Sequence, residues 1–132
     1  MARYRQINTK IWNDPDFGRY SLEEKLVFIY LINNNATLEC GVYLMPVETI
    51  ARETGINPQV VTNILDGRLK NVVYDISSQY VYLRKFHAYN CGGNKDLVTK
   101  SIIACFRTSR KVPMWKLFIE DYPEYKEALI NV

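Results

Sequence analysis

Between Pro46 and Leu83 the chain carries two short helical patterns either side of a tight turn, followed by two strand patterns, and that order leaves few folds open. Pro46 opens the first helix, because its ring fixes a helical φ and its missing N–H has no partner in a first turn. Val47, Ile50 and Ala51 form the apolar stripe, and Gly55 supplies the left-handed residue that ends a helix and begins a sharp turn. Asn57 then caps a second helix through its side-chain oxygen, with Pro58 at the first helical position. From Pro58 to Lys70, one face collects Val60, Val61, Ile64, Leu65 and Leu69, while Gln59, Thr62, Asn63, Asp66 and Lys70 occupy the other. Val72 to Asp75 and Tyr80 to Leu83 are β-branched and aromatic, and Ser77, Ser78 and Gln79 between them predict the turn of a hairpin. Helix, turn, helix and hairpin in this order read as a helix-turn-helix with a wing.

The flanking segments complete that pattern. Ser21 and Glu24 form a capping box for a helix running to about Asn33, whose stripe of Leu22, Leu26, Ile29, Tyr30 and Asn33, widened by Val27 and Leu31, predicts a helix deep in the core. Gly41 to Leu44 is a short strand that pairs with the wing strands. Upstream, Ile11, Trp12 and Phe17 surround the turn-forming Asn13-Asp14-Pro15, which makes residues 1–20 an arm whose aromatics pack on the core. Downstream, Cys91-Gly92-Gly93 reads as a hinge. A helix over Lys95 to Arg107 is expected to turn Leu97, Ile102, Ala104 and Cys105 inward. Pro113 starts a last helix carrying Trp115, Leu117, Phe118 and Ile119, interrupted at Tyr122-Pro123 and followed by a turn or two up to Ile130. The expected fold is mainly α with a small antiparallel β-sheet, of the α+β class. A winged helix-turn-helix over 21–86 carries a C-terminal helical extension, 87–132, packed on the same domain.

A chain of 132 residues with 48% hydrophobic content supports one ordinary domain, and a single core is expected. No apolar run approaches the roughly 20 residues needed to span a bilayer, and the N-terminus lacks the apolar stretch of a secretory signal. Cys40, Cys91 and Cys105 are odd in number and irregularly spaced, which argues against a disulfide framework and for a reducing, cytoplasmic setting. The net charge of +3 is unevenly spread. Residues 1–94 hold ten basic and nine acidic groups, residues 95–116 six basic groups against Asp96, and residues 117–132 Lys126 against Glu120, Asp121, Glu124 and Glu127. The last third of the chain is therefore basic and then acidic.

For a DNA reader of this shape the second helix enters the major groove and offers Gln59, Thr62 and Asn63 to base edges, where Gln and Asn can pair with adenine in bidentate fashion. Arg52, Arg68, Lys70, Arg84 and Lys85, with Arg3, Arg5 and Lys10 of the arm, are the candidate phosphate contacts. Lys100, Arg107, Arg110 and Lys111 form a further basic patch, which admits DNA wrapping, contact with an acidic partner, or a solvated face with no partner. A polar helix stripe is often only a solvated face, Asp66 opposes phosphate, and the wing tip has no cation. Tyr80, Tyr82, Phe86 and Tyr89 are better read as core or interface than as platforms for single-stranded bases. His87 has no catalytic partner in sequence, and its spacing from Cys91 is a weak metal signature, so neither a catalytic residue, a metal nor a cofactor is expected.

Several stretches together also resemble a known family. Arg5-Gln-Ile-Asn-Thr-Lys-Ile-Trp-Asn-Asp, Tyr20-Ser-Leu-Glu-Glu-Lys-Leu-Val-Phe-Ile-Tyr-Leu, Gly41-Val-Tyr-Leu-Met-Pro, Gly92-Gly-Asn-Lys, Trp115 and Tyr122-Pro123-Glu124 look like the N-terminal region of phage replisome organisers, whose N-terminal domain is similar to that of DnaD. The resemblance spans nearly the whole chain through degenerate motifs. It implies a winged-helix protein of a phage or prophage that helps start DNA replication, by binding origin DNA or by organising a primosome. The implied partners are double-stranded DNA, further copies of the chain, and a helicase loader or other primosome proteins. Members of such families often carry another domain after this one. Two alternatives stand beside that reading, a winged-helix assembly module without specific DNA binding and a transcriptional regulator of the same fold.

Overall fold

The computed structural model describes residues 4–38, 40–90, 94–109 and 111–132. A 3-10 turn, Thr9–Asn13, leads into α1, Pro15–Arg19. Asp14 caps α1 by accepting from the Asp16 N–H at 2.9 Å, with Pro15 in the first turn, so that a short helix follows where only a turn at Asn13-Asp14-Pro15 was expected. Phe17 is buried and packs against Tyr20 and Phe28, while Trp12 meets the Phe17 ring edge-on at 5.4 Å with its other side in solvent. The arm is thus anchored by Phe17. Helix α2, Leu22–Ile32, begins with the expected capping box: the Ser21 N–H donates to Glu24 at 2.8 Å, and the Glu24 N–H to the Ser21 hydroxyl at 3.1 Å.

Strand β1, Val42–Leu44, follows, then α3, Val47–Thr54, and α4, Pro58–Leu65. Between the helices Gly55 takes φ +81°, the left-handed cap its sequence position calls for, and Asn57 accepts from the Gln59 N–H at 2.8 Å. Pro46 stands one place outside α3 as its cap rather than inside its first turn. Strands β2, Val72–Asp75, and β3, Tyr80–Leu83, form the hairpin, and β3 lies in the middle of an antiparallel sheet ordered β1-β3-β2. Val42 faces Tyr82 across one seam, and Val73 faces Tyr82 across the other. After it come α5, Phe86–Asn90, α6, Lys95–Ser109, α7, Met114–Asp121, a 3-10 turn at Pro123–Tyr125, and α8, Lys126–Ile130.

The sheet separates two apolar clusters where one core was expected. Successive residues of a strand point to opposite faces. Tyr43, Val72, Val81 and Leu83 therefore join Val27, Leu31, Ile50, Val61, Ile64 and Leu69 on one side. Val42 and Tyr82 join Ile102, Met114, Trp115, Phe118 and Leu129 on the other. Phe118, fully buried, is ringed by Tyr82, His87, Trp115, Tyr122 and Tyr125 at centroid distances of 5.0 to 6.0 Å. The C-terminal helices thus cover a face that the three-stranded sheet would otherwise leave wet.

Two helices turn different faces inward from those their periodicity predicts. In α2, Val27 and Leu31 are sealed in the core, whereas Leu22 is 85% and Leu26 44% exposed. Apolar residues surround this helix, so a 3.6-residue repeat cannot select a face, and the sheet with α3 and α4 makes the choice. In α6, Ile102 and Ser109 are buried while Leu97 and Ala104, which share the opposite side, are exposed. Helix α4 also ends sooner than expected. The Asp66 N–H closes the last turn onto Thr62, Gly67 takes φ +81°, and Leu69 reaches the core from an irregular segment.

The two halves are joined by a polar latch. Arg84, just past β3, grips Asp121 at the end of α7 with two hydrogen bonds, from Nε at 3.0 Å and from a terminal nitrogen at 2.8 Å. The Tyr82 hydroxyl donates to the same carboxylate at 2.7 Å, and the Tyr122 hydroxyl donates to the Arg84 carbonyl, also at 2.7 Å. The Arg84 guanidinium, followed by the Tyr82 hydroxyl, holds the Asp121 carboxyl below its ordinary value. A lowered carboxylate pKa stabilises the fold above the ordinary value of 3.8, and the contribution disappears as the pH falls through the depressed value. Asp121→Asn is expected to lower stability in urea unfolding by about 1–2 kcal/mol at neutral pH, the water reaching both groups keeping the loss modest. The gap between parent and variant should close on acidification below 3.8. A second expectation concerns Gly41, at φ +80° beside β1, where an added Cβ would stand 2.8 Å from the Leu83 carbonyl oxygen. Gly41→Ala should cost about 1–3 kcal/mol in the same assay by prising β1 from β3.

Candidate nucleic-acid interface

Helix α4 carries the three residues that the sequence offers as candidate base contacts. Its inner face is fixed by Val61, Ile64 and Leu65, all buried, so the rotation of the helix about its axis is set by the core. Gln59 and Asn63 consequently stand exposed one turn apart, and the Gln59 amide donates to the Asn63 side-chain oxygen at 3.2 Å. That bond aligns two amides along one edge and leaves each with groups for a base or a water. Thr62 is half-buried and donates its hydroxyl to the Pro58 carbonyl at 3.0 Å, which keeps its oxygen as an acceptor only. Asp66 follows at the C-cap, exposed.

Most of the cations proposed for phosphate contact around this helix are already engaged. Arg68 lies 3.9 Å from Glu24 and Lys70 lies 3.0 Å from Asp16, both outside α4, because the helix ends at Leu65. Asp16 also receives Arg19 at 3.7 Å. The Arg84 guanidinium belongs to the Asp121 latch. Arg5 of the arm donates to the Thr37 carbonyl and so ties the arm to the loop after α2. Arg52 on α3 and Lys85 after β3 are exposed. Lys10, Lys70 and Lys85 converge on one groove of about 520 Å³ between the arm and β2, floored by Phe17, Phe28 and Phe86 and shared with Asp14 and Asp16. Sequence spacing gave no sign that arm and post-wing lysines meet there.

The wing is short. Asp75 pairs with Tyr80, leaving four residues in the loop, with Ile76 exposed and Gln79 at φ +61°. Of the three polar residues expected at its tip, Ser78 gives both its N–H and its hydroxyl to Asp75, at 3.2 and 2.6 Å. The Ser78 hydroxyl is the main reason the Asp75 carboxyl sits below its ordinary value. The tip therefore displays a carboxylate, and a groove contact by the wing would rest on Ser77 and Gln79.

Lys100, Arg107 and Lys111 of the second basic stretch are exposed, and none forms a salt bridge among the described residues. Arg3 and Arg110 lie outside the described residues, as do Cys91, the Gly92-Gly93 hinge and the side chain of Tyr89. Tyr80 and Tyr82 point into the C-terminal cluster and Phe86 into the other, which uses their rings for packing. His87 is buried, with Nε2 2.9 Å from the Tyr125 hydroxyl and the ring edge-on to Tyr122 at 4.9 Å. The structure also brings Cys40 and Cys105 together. The neighbouring Cys105 thiol, with burial, pushes the Cys40 thiol well above its ordinary value and so keeps it protonated. Comparison of this chain with protein-family models, with curated proteins and with solved structures finds no match.

Proposed function

We propose that this chain is a winged-helix protein that binds double-stranded DNA in the cytoplasm and acts in the initiation of phage or prophage replication, by binding rather than by catalysis. The observation that carries the reading is the junction of topology and exposure. The order α2, β1, α3, α4, β2, β3 with a β1-β3-β2 sheet is consistent with a winged helix, and Gln59 and Asn63 stand exposed and hydrogen-bonded to each other on α4, which supports the reading. The step from DNA binding to replication rests on the family resemblance described above. A second reading, an assembly module contacting primosome proteins, is favoured by one specific observation: Arg68, Lys70 and Arg84 all face carboxylates of their own chain.

The two readings separate in fluorescence anisotropy of the full chain on duplex DNA from its own genomic neighbourhood, with scrambled duplex as competitor and at two salt concentrations. The DNA reading predicts preference for the local duplex and affinity that falls steeply with salt. Asn63→Ala should then weaken the preferred duplex by about 5- to 150-fold, corresponding to roughly 1–3 kcal/mol for one bidentate contact, and leave the scrambled duplex unchanged. Equal, salt-insensitive or absent binding to both duplexes by the folded chain would leave the assembly reading in its place.

A further inference from the structure

Among the described residues, Lys100, Arg107, Lys111 and Lys116 form no salt bridge and lie outside α4. Around the end of α6 and the start of α7, Lys111 and Lys116 rim an open groove of about 400 Å³ whose other lining residues are Phe106, Val112, Pro113, Trp115 and Ile119. Both lysines are exposed, and among the described residues neither is ion-paired and no carboxylate lines the groove. Trp115 is 2% exposed and donates its ring N–H to the Ser109 hydroxyl at 3.0 Å, so it closes the floor without offering a free ring face for a base to stack on. A groove with an apolar floor and ammonium rims fits a peptide that places an aliphatic side chain beside carboxylates. A phosphodiester backbone matches the rims alone.

The chain itself carries such a segment. Glu124, Glu127 and Ile130 are spaced three apart across the last 3-10 turn and α8, a spacing that sets neighbours on one helix face. All three are exposed, Ile130 by 65%. Tyr125 and Leu129 anchor this end in the cluster around Phe118, so its outward face cannot turn into the groove of its own molecule without unpacking that core. Residues 95–116 sum to +5 and residues 117–132 to −3 by the counts of basic and acidic groups in the sequence. We infer that the C-terminal face formed by Glu124, Glu127 and Ile130 docks into the Lys111/Lys116 groove of a second copy of this chain, with Ile130 on the apolar floor and the two glutamates against the two lysines. This contact is independent of whether α4 reads DNA.

Light scattering on the full chain over a range of protein and salt concentrations tests the contact directly. The parent is expected to gain mass with concentration at low salt and to return to the monomer as salt screens the charges. Lys111→Glu with Lys116→Glu, and separately Glu124→Lys with Glu127→Lys, should each weaken association by about tenfold or more, since like charges then face each other. All four changes in one chain restore opposite charges across the contact, and association should return. Ile130→Asp should weaken it without altering the circular dichroism of the fold. A parent that stays monomeric at millimolar concentration overturns the proposal, as do reversal pairs that associate like the parent or a fourfold variant that is folded yet not rescued. Loss of duplex affinity in the lysine variant with its mass unchanged would assign the groove to nucleic acid and overturn it equally.

Discussion

Tyr82 points one way from β3 while Val81 and Leu83 point the other, and the rest of the molecule is organised around that alternation. Because β3 is the middle strand, its two faces become the floors of two cores, and β1 and β2 extend each floor with the same alternation. An antiparallel sheet commonly leaves one face to water. Here α6, α7 and α8 seal the second face, so the helices after the hairpin belong to the architecture of the sheet. The Arg84–Asp121 latch reinforces the arrangement at the end of β3, where a bidentate pair and two tyrosine hydroxyls converge.

Sealing that face has an electrostatic consequence. With one side of the sheet taken by α6 to α8, α4 keeps Gln59 and Asn63 exposed and the loop between β2 and β3 keeps Ser77 and Gln79 exposed. Arg68 faces Glu24 and Lys70 faces Asp16, while among the described residues Lys100, Arg107 and Lys111 form no salt bridge. Exposed ion pairs of this kind are weak, about 0–1 kcal/mol each, and a phosphate can compete for the same lysine or arginine. Base-edge recognition by Gln59 and Asn63 needs no net charge at all. The cations of α6 and the following turn and the exposed Gln59–Asn63 pair therefore lie on different parts of this chain.

Local chemistry was legible in the sequence wherever a single residue type dictates a backbone state. Gly55 as the left-handed cap, Asn57-Pro58 as a helix start, the Ser21–Glu24 box and the hairpin over Val72 to Leu83 all stand where the residues placed them. Burial was less legible, because α2 and α6 are apolar on more than one side and tertiary contact chose Val27 and Leu31 over Leu22 and Leu26. The second core was not legible, since the alternation within Tyr80 to Leu83 is apolar at every position and looks the same for one wet face or two dry ones. The use made of Arg84 was hidden for another reason: its partner Asp121 lies in a helix far along the chain, and no spacing rule connects them.

Chemical-shift mapping by NMR during titration of the full chain with duplex DNA tests the functional claim most directly, since it locates the contact without a substitution. The account predicts that the largest shifts fall on the side-chain amides of Gln59 and Asn63 and on backbone amides of α4, with Ser77 and Gln79 of the wing moving less and the buried Trp115 indole N–H unmoved. Shifts confined to α6 and the Lys111/Lys116 groove, or none at concentrations where the duplex saturates, would contradict it.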